Sequence, residues 1–137
     1  MIKSATIGKE IVVRIINKIG VLADVAGILS DASINIEGVN GYVVKDIATI
    51  RILSNDNLRA VEVLKKAGYT DCKEKEAVII EMENKIGNLK NITAKLAEAG
   101  IDINHIYATS CSNACPAKIV LSTNNDEKAI AVFKATS

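Results

Sequence analysis

The chain contains one four-residue phrase twice, Asn-Lys-Ile-Gly at 17–20 and again at 84–87. In each copy an apolar run precedes the phrase, and apolar residues at helical spacing follow it. Each copy therefore predicts a short loop between the end of a strand and the start of a helix. The first turn of a helix carries free backbone N–H groups and a partial positive charge, so such a loop can hold a small anion.

This repeat extends beyond the phrase when the chain is aligned with itself at an offset of 67 residues. Between Asn17 and Ile36, nine of twenty positions are identical, where average composition gives about one. A period this long that occurs twice indicates a duplicated domain, because a solenoid array needs three or more units. We therefore expect two similar domains in the 137 residues.

The elements predicted in the first copy follow the order β-α-β-β-α-β. Amphipathic helices over about 20–32 and 58–67 lie among four strands, predicted over 11–16, 34–44, 47–53 and 69–74. The second copy repeats this order but has no fourth strand of its own. The order is the split βαβ motif. It predicts an α+β fold of two ferredoxin-like units, pseudo-twofold related, each with an antiparallel sheet and helices on one face.

The N-terminal segment supplies the missing strand in our prediction. The same offset maps residues 2–7 onto 69–74, the fourth strand of the first copy. Without a strand in this place, the second copy would keep a row of unpaired backbone groups. We predict a first domain over 9–74 and a second over 75–137 that strand 2–7 completes. In this register the numbers of opposing residues add up to 85.

These residues resemble the ACT domain. The carrying residues are the strand, the Asn17–Leu22 segment, the helix and the Ser33–Ile36 turn, matched in the second copy by Asn84–Leu89 and Gly100–Ile103. The chain thus resembles a tandem pair of ACT domains over essentially its whole length. ACT domains are regulatory modules that bind a free amino acid, commonly at the loop before the first helix and often where two such domains meet. The resemblance implies an amino-acid sensor with no catalysis of its own.

The resemblance also implies which residues contact the ligand. In each copy they would be the loop, the helix start and one polar residue that reaches in from the second strand. The predicted ligand-binding residues are Asn17, Ile19, Gly20, Val21, Leu22 and Asn35 in the first copy, and Asn84, Ile86, Gly87, Asn88, Leu89 and Asp102 in the second.

Local roles are the alternative for the polar and glycine residues of these loops. Asn17 and Asn84 could cap the following helices, because a side-chain amide satisfies N–H groups at a helix start. Gly20 and Gly87 could be required by the turn alone. Asn35 and its counterpart could simply solvate the start of a strand.

Composition excludes several other functions. Lys plus Arg number 17 and Asp plus Glu 16, and this net charge of +1 gives no footprint for nucleic acid or an anionic membrane. One Phe, three Tyr and no Trp do not provide the stacking residues of an RNA-recognition sheet. No apolar run approaches the ~18 residues of a membrane span, and no signal-peptide pattern opens the chain. We expect a cytoplasmic protein.

Three cysteines and one histidine point to no metal or cofactor. Cys111 and Cys115 do not have CxxC spacing, and no His or Cys cluster accompanies them. We expect a structural role for them, with a redox pair or a metal site as alternatives. Cys72 is expected to be half-buried in a strand, and His105 to lie on a strand face. Metal chaperones of similar topology carry a cysteine pair in the loop between the first strand and the first helix. Here that loop reads Asn-Lys-Ile-Gly and has no cysteine, so we reject a metal-chaperone function.

Two other function classes stay open beside the sensor. They are an interaction module that has lost its ligand and a small ferredoxin-like enzyme, although the sequence shows no Ser-His-Asp, Cys-His or paired-carboxylate arrangement. The expected partners are a small-molecule amino acid, an enzyme regulated in trans, and a second copy of the chain. A homodimer is expected because the strands over 34–44 and 101–110 lie at sheet edges, and exposed edges invite pairing.

Overall fold

The computed structural model describes residues 2–110 and 115–134. Six strands and four helices lie in these ranges, and their order confirms the predicted α+β class. The elements are β1 Ile2–Ile16, α1 Val21–Asp31, β2 Ile36–Val44, β3 Ile47–Ser54, α2 Asn57–Lys66, β4 Cys72–Met82, α3 Asn88–Glu98, β5 Ile103–Thr109, β6 Ala117–Thr123 and α4 Asp126–Lys134.

The chain forms two compact units. The first unit is Lys9–Lys75, and the second unit is Met1–Gly8 together with Glu76–Ser137. Because β1 and β4 are long, each of them contributes residues to both units. The strand order is β2-β3-β1-β4 in the first unit and β1-β4-β6-β5 in the second.

The core of the first unit lies between its sheet and the two helices. Strand β3 pairs antiparallel with β1 and with β2, and Val13 lies opposite Ile50. Helix α1 buries one stripe of residues spaced by four, as an amphipathic helix does. The buried core residues are Ile11, Val13, Val21, Val25, Leu29, Ile34, Ile50, Ile52, Ala60, Leu64, Tyr69 and Cys72.

The fourth strand of the first unit lies beside β1. The Arg14 N–H donates to the Asp71 carbonyl oxygen at 2.9 Å. These two residue numbers add up to 85, so the hydrogen bond agrees with the predicted register at this position. Asn57 also joins β1, because its Nδ2 donates to the Lys9 carbonyl at 3.0 Å.

The second unit has an equivalent core. Strand β6 pairs antiparallel with β4 and β5, and Ile80 lies opposite Ile119. Ile2 and Ala5 of β1 pack against the buried residues, and a Cβ at Gly8 would overlap Ile79 Cδ1. The core residues are Val78, Ile80, Met82, Ile92, Leu96, Ile101, Ala117, Ile119, Leu121, Ala129, Ile130 and Phe133.

Three expectations about single residues have different outcomes. Cys72 is only 2% exposed in the first core, so the expected half-burial is wrong, and burial raises the pKa of its thiol. His105 lies on β5 as predicted. Its ring and that of Tyr107 pack edge to face, with 5.6 Å between the two ring centroids. Cys111 lies outside the described residues, so the predicted role of the Cys111 and Cys115 segment stays a prediction.

Tyr69 joins the end of α2 to the first turn of α1. Its N–H donates to the Leu64 carbonyl at 3.0 Å, and its hydroxyl donates to Asp24 Oδ2. The side chain is 5% exposed. Burial, then the hydrogen bond and charge of Asp24, raise the pKa of Tyr69 to about 12.

We expect this phenol to make stability fall between about pH 10 and pH 12. The pKa is higher in the folded state, so the stabilisation is fully present below the ordinary value of about 10 and is lost as the pH rises toward 12. The slope is at most about 1.4 kcal/mol per pH unit. Urea unfolding at several pH values should show a steeper loss for the wild type than for Tyr69→Phe. Equal slopes would contradict the assignment.

Candidate functional site

A cleft lies beside the Asn-Lys-Ile-Gly loop of the first unit, between the start of α1 and the edge strand β2. We call it the first cleft, and its volume is about 360 Å³. Strand β3 forms its floor. The lining residues are Asn17, Lys18, Gly20, Val21, Leu22, Val39, Gly41, Tyr42, Val43, Ala48, Thr49 and Ile50.

Gly41 explains why the first cleft is open. It lies opposite Ile50, whose side chain faces the core, so Gly41 lies on the helix-facing side of β2 together with Val39 and Val43. Both valines remain about half exposed, at 46% and 50%. A Cβ at Gly41 would meet only the Thr49 carbonyl oxygen, at 3.9 Å. The missing side chain therefore leaves space between the edge strand and the helix start.

The start of α1 makes one end of the first cleft electropositive. Gly20 is the N-cap residue, with φ of 92°, and no side chain caps this helix. The helix dipole and the exposed Lys18 both favour an anion here, and none of the lining residues in the described part of the chain carries a carboxylate. The acidic residue of the first helical turn, Asp24, accepts the hydrogen bond from Tyr69. The other end of the cleft is apolar, because Ala48 and Ile50 form the floor.

Glycine, and not asparagine, caps the helix that follows each Asn-Lys-Ile-Gly loop. Gly20 and Gly87 are the N-cap residues of α1 and α3, rather than Asn17 and Asn84. Both glycines have positive φ, of 92° and 87°, which side chains rarely adopt. The turn thus requires glycine. By contrast, α2 and α4 have side-chain caps: Asp56 accepts from Arg59 N at 3.2 Å, and Asn125 from Lys128 N at 3.0 Å.

A second cleft lies at the equivalent loop of the second unit. Its volume is about 200 Å³. It is bounded by the start of α3, the edge strand β5 and the floor strand β6. The lining residues are Met82, Glu83, Asn84, Lys85, Asn88, Leu89, Ala108, Thr109, Ser110, Ala117 and Ile119.

Seven of the twelve ligand-binding residues predicted from the sequence line one of the two clefts. The isoleucines of both loops, Ile19 and Ile86, are fully exposed and line neither cleft. Gly87 precedes α3 without lining the second cleft. The residues brought together are Asn17, Gly20, Val21 and Leu22 in the first cleft, and Asn84, Asn88 and Leu89 in the second.

The structure does not bring Asn35 or Asp102 to the clefts. Six residues of extended chain, about 20 Å, separate Asn35 from Gly41. The Asn35 N–H donates to Asn55 Oδ1 at 2.9 Å, and the Asn55 N–H donates to the Asn35 carbonyl at 3.2 Å. Asp102 and Asn124 form the same reciprocal pair, at 3.0 and 3.1 Å. The backbone of Asn35 thus holds the loop before α2, and the backbone of Asp102 holds the loop before α4.

Sequence reasoning predicted the edge strand β2 and the strand β3, but not that their residues line the first cleft. One signal was available, because a glycine inside a strand marks a bulge or a close approach by a ligand or another backbone. Gly41 is such a residue, since β2 continues on both sides of it.

Two kinds of feature are absent from residues 2–110 and 115–134. No group of three or more His, Cys, Asp or Glu side chains in these ranges could hold a metal ion. None of their helices has the length and apolar character needed to cross a membrane.

Comparison with known proteins identifies the family. A sequence model of the ACT domain pair matches residues 6–136. The chain belongs to the ACT domain pair family. The resemblance predicted from the repeated loop and helix is therefore confirmed. No curated protein matches the chain by sequence.

Several solved structures have the same fold as this chain. Protein BT0572 from Bacteroides thetaiotaomicron is 25% identical, with a TM-score of 0.86 over 96% of this chain and 90% of that one. The ligand-free regulatory subunit of aspartate kinase from Thermus thermophilus is 14% identical, with a TM-score of 0.63 over 99% of each chain. At that identity the likeness shows the fold alone.

Proposed function

We propose that this ACT domain pair is a sensor that binds a free amino acid in the first cleft and has no catalysis of its own. The observation that carries the proposal is the pairing of an electropositive helix start with an apolar floor in one cleft. A free amino acid at neutral pH carries a carboxylate next to its side chain, so it complements both ends. The first cleft, about 360 Å³, lies at the lower end of the ~300–1,000 Å³ typical of small-molecule pockets.

The proposed orientation follows from the lining residues. The carboxylate lies toward the backbone N–H groups near Gly20 to Leu22, where the helix dipole favours negative charge. The side chain lies over Ala48 and Ile50, in the space that Gly41 leaves open. An aliphatic side chain fits this floor best, because it buries apolar surface without leaving a polar group unpaired.

Titration calorimetry against the common amino acids tests the sensor. We expect saturable heat with at least one amino acid that has an aliphatic side chain, and weaker or no heat with charged ones. Silence with every amino acid would refute the sensor. It would favour the interaction module instead, for which the fully exposed Ile19 and Ile86 are the supporting observation.

The sensor is proposed to act in the cytoplasm as a homodimer that regulates an enzyme in trans. Exposed apolar side chains near the first loop support association. Ile16 is 71% exposed, Ile19 104% and Val44 61%. Large apolar side chains exposed near one another are a feature of many protein interaction sites. Strand β2 lies at the edge of its sheet, and exposed edges invite pairing.

Light scattering tests the homodimer. We expect a mass of about twice the 14.6 kDa of one chain, and a shift toward the monomer for Ile19→Asp, because a carboxylate in an apolar interface is costly. Leu58→Asp is the matched control, since Leu58 is 75% exposed on α2, away from the loop. A wild-type mass of one chain at high concentration would contradict the proposal.

A further inference from the structure

We infer that the two clefts are not equivalent, and that the chain binds one apolar amino acid, in the first cleft only. This inference rests on the proposed function. The 67-residue repeat makes the two loops look alike, since both read Asn-Lys-Ile-Gly. The residues around the loops differ in size, in hydrogen bonding and in charge. All three differences disfavour an apolar amino acid in the second cleft.

The first difference is the size of the edge-strand residue that pairs with the floor strand of each cleft. Gly41 pairs with Ile50 on β3, and Ala108 pairs with Ile119 on β6 at the equivalent position. The methyl group of Ala108 occupies space that is open at Gly41. The volumes agree with this difference, about 360 Å³ for the first cleft and 200 Å³ for the second. The second cleft is thus smaller where the ligand side chain would lie.

The second difference is the first helical residue. Val21 is buried at the start of α1. Its counterpart at the start of α3 is Asn88, whose Nδ2 donates to the Glu83 carbonyl oxygen at 2.7 Å. This hydrogen bond closes the second loop on itself and places a polar side chain at the mouth of the cleft. A ligand would have to displace it or pack against a polar group.

The third difference is charge. In the second loop Lys85 Nζ lies 2.6 Å from Glu83 Oε2. Their hydrogen bond, and then their mutual attraction, lower the pKa of Glu83 and raise that of Lys85. Ile16 takes the place of Glu83 in the first loop, so Lys18 has no carboxylate at that position. Glu83 therefore compensates the cation of the second cleft and repels a ligand carboxylate, whereas the first cleft keeps its attraction for one.

The edge-strand residues that line the second cleft are also more polar than those of the first. Tyr42 and Val43 line the first cleft on β2, and their counterparts in the second are Thr109 and Ser110. The second cleft is thus smaller, more polar and electrostatically compensated. These properties are unsuited to an aliphatic side chain with a free carboxylate. The second unit keeps the fold of the repeat without its ligand.

Paired substitutions at equivalent positions test this inference by titration calorimetry with the aliphatic amino acids. Gly41→Leu fills the first cleft, and it is sterically permitted because φ at Gly41 is not positive and an added Cβ makes only ordinary van der Waals contact with the Thr49 carbonyl oxygen, at 3.9 Å. Ala108→Leu is its counterpart in the second cleft. We expect one site per chain in the wild type, a loss of affinity of at least about tenfold for Gly41→Leu, and a change below about twofold for Ala108→Leu. Circular dichroism confirms that both variants are folded.

A second matched pair keeps the test valid if Gly41→Leu or Ala108→Leu misfolds. Leu22 and Leu89 are about equally exposed, at 49% and 51%, and each lines its own cleft. Leu22→Asp places a carboxylate where the ligand carboxylate would lie, while a negative charge in the first turn is favourable for the helix itself. We expect Leu22→Asp to abolish binding and Leu89→Asp to leave it unchanged.

The outcomes separate the inference from the proposed function. Two equal sites per chain, or loss of binding on Ala108→Leu or Leu89→Asp but not on their counterparts, would overturn the inference while the sensor stands. Absence of heat in the wild type with every amino acid would overturn both. A single site that only the first-cleft variants remove supports both.

Discussion

Removal of residues 2–8 is expected to abolish the cooperative folding of the second unit. These residues form the strand beside β4, where Ile2 and Ala5 pack on the second core. Without them the backbone of Val78 to Met82 would lose its neighbour on that side. A buried donor or acceptor left without a partner costs about 1–3 kcal/mol. The cost of several such groups together is comparable with the roughly 5–15 kcal/mol that stabilises a typical domain.

Hydrogen exchange of the amides from Val78 to Met82 measures this effect. We expect strong protection in the wild type and little protection in the truncated chain. Point variants provide a matched control, because Ala5 packs on the core while its neighbour Ser4 is exposed. Ala5→Asp should destabilise the protein by more than about 2 kcal/mol, and Ser4→Asp by less than about 0.5 kcal/mol. Undiminished protection in the truncated chain would contradict the predicted division of the chain.

The order of elements could be predicted because each apolar face repeats with the period of its element. The strand and helix types, and the glycines that end the helices, follow from local sequence alone. Gly68 and Gly100 have φ of 103° and 72°, as expected just beyond a helix end. The register between β1 and β4 followed from a symmetry argument, and the hydrogen bond from Arg14 to Asp71 agrees with it. None of these inferences needed the position of a particular side chain.

The cleft walls could not be predicted, because they depend on which face of β2 turns toward the helices. A shift of one residue moves every side chain of a strand to the other face. The pairing of β2 with β3 shifts between Ile36 and Gly38, and β5 has the same irregularity between Ile103 and His105. Alternation counted from Ile36 therefore assigns the wrong face to Gly41. Only the observed register places Gly41 over the floor.

Gly20 is a poor position for a bulky residue meant to block the ligand. The positive φ of Gly20 makes any side chain there strained, so lost binding and lost folding would be hard to separate. Gly41 and Leu22 offer the same test without this strain.

Loss of the Glu10 carboxylate is expected to be among the most destabilising single changes in the first unit. Glu10 has no exposed surface, and its Oε2 lies 3.2 Å from Nη1 of Arg51, whose side chain is 14% exposed. Among the described residues, no acceptor reaches the buried Arg51 Nε. Glu10→Ala would leave the guanidinium buried without its counter-ion. Breaking a buried pair in this way costs about 3–5 kcal/mol.

Chemical denaturation of three variants separates charge from packing. Glu10→Ala should lower the free energy of unfolding by several kcal/mol, whereas Glu10→Leu combined with Arg51→Met should recover most of it, because apolar residues of similar volume often replace a buried pair without loss. Glu62→Ala is the control, since Glu62 pairs with Lys66 at 3.1 Å on the exposed face of α2. Glu62→Ala should lower the free energy of unfolding by less than about 0.5 kcal/mol. If Glu10→Ala cost no more than Glu62→Ala, the buried charge on Arg51 would have found other compensation.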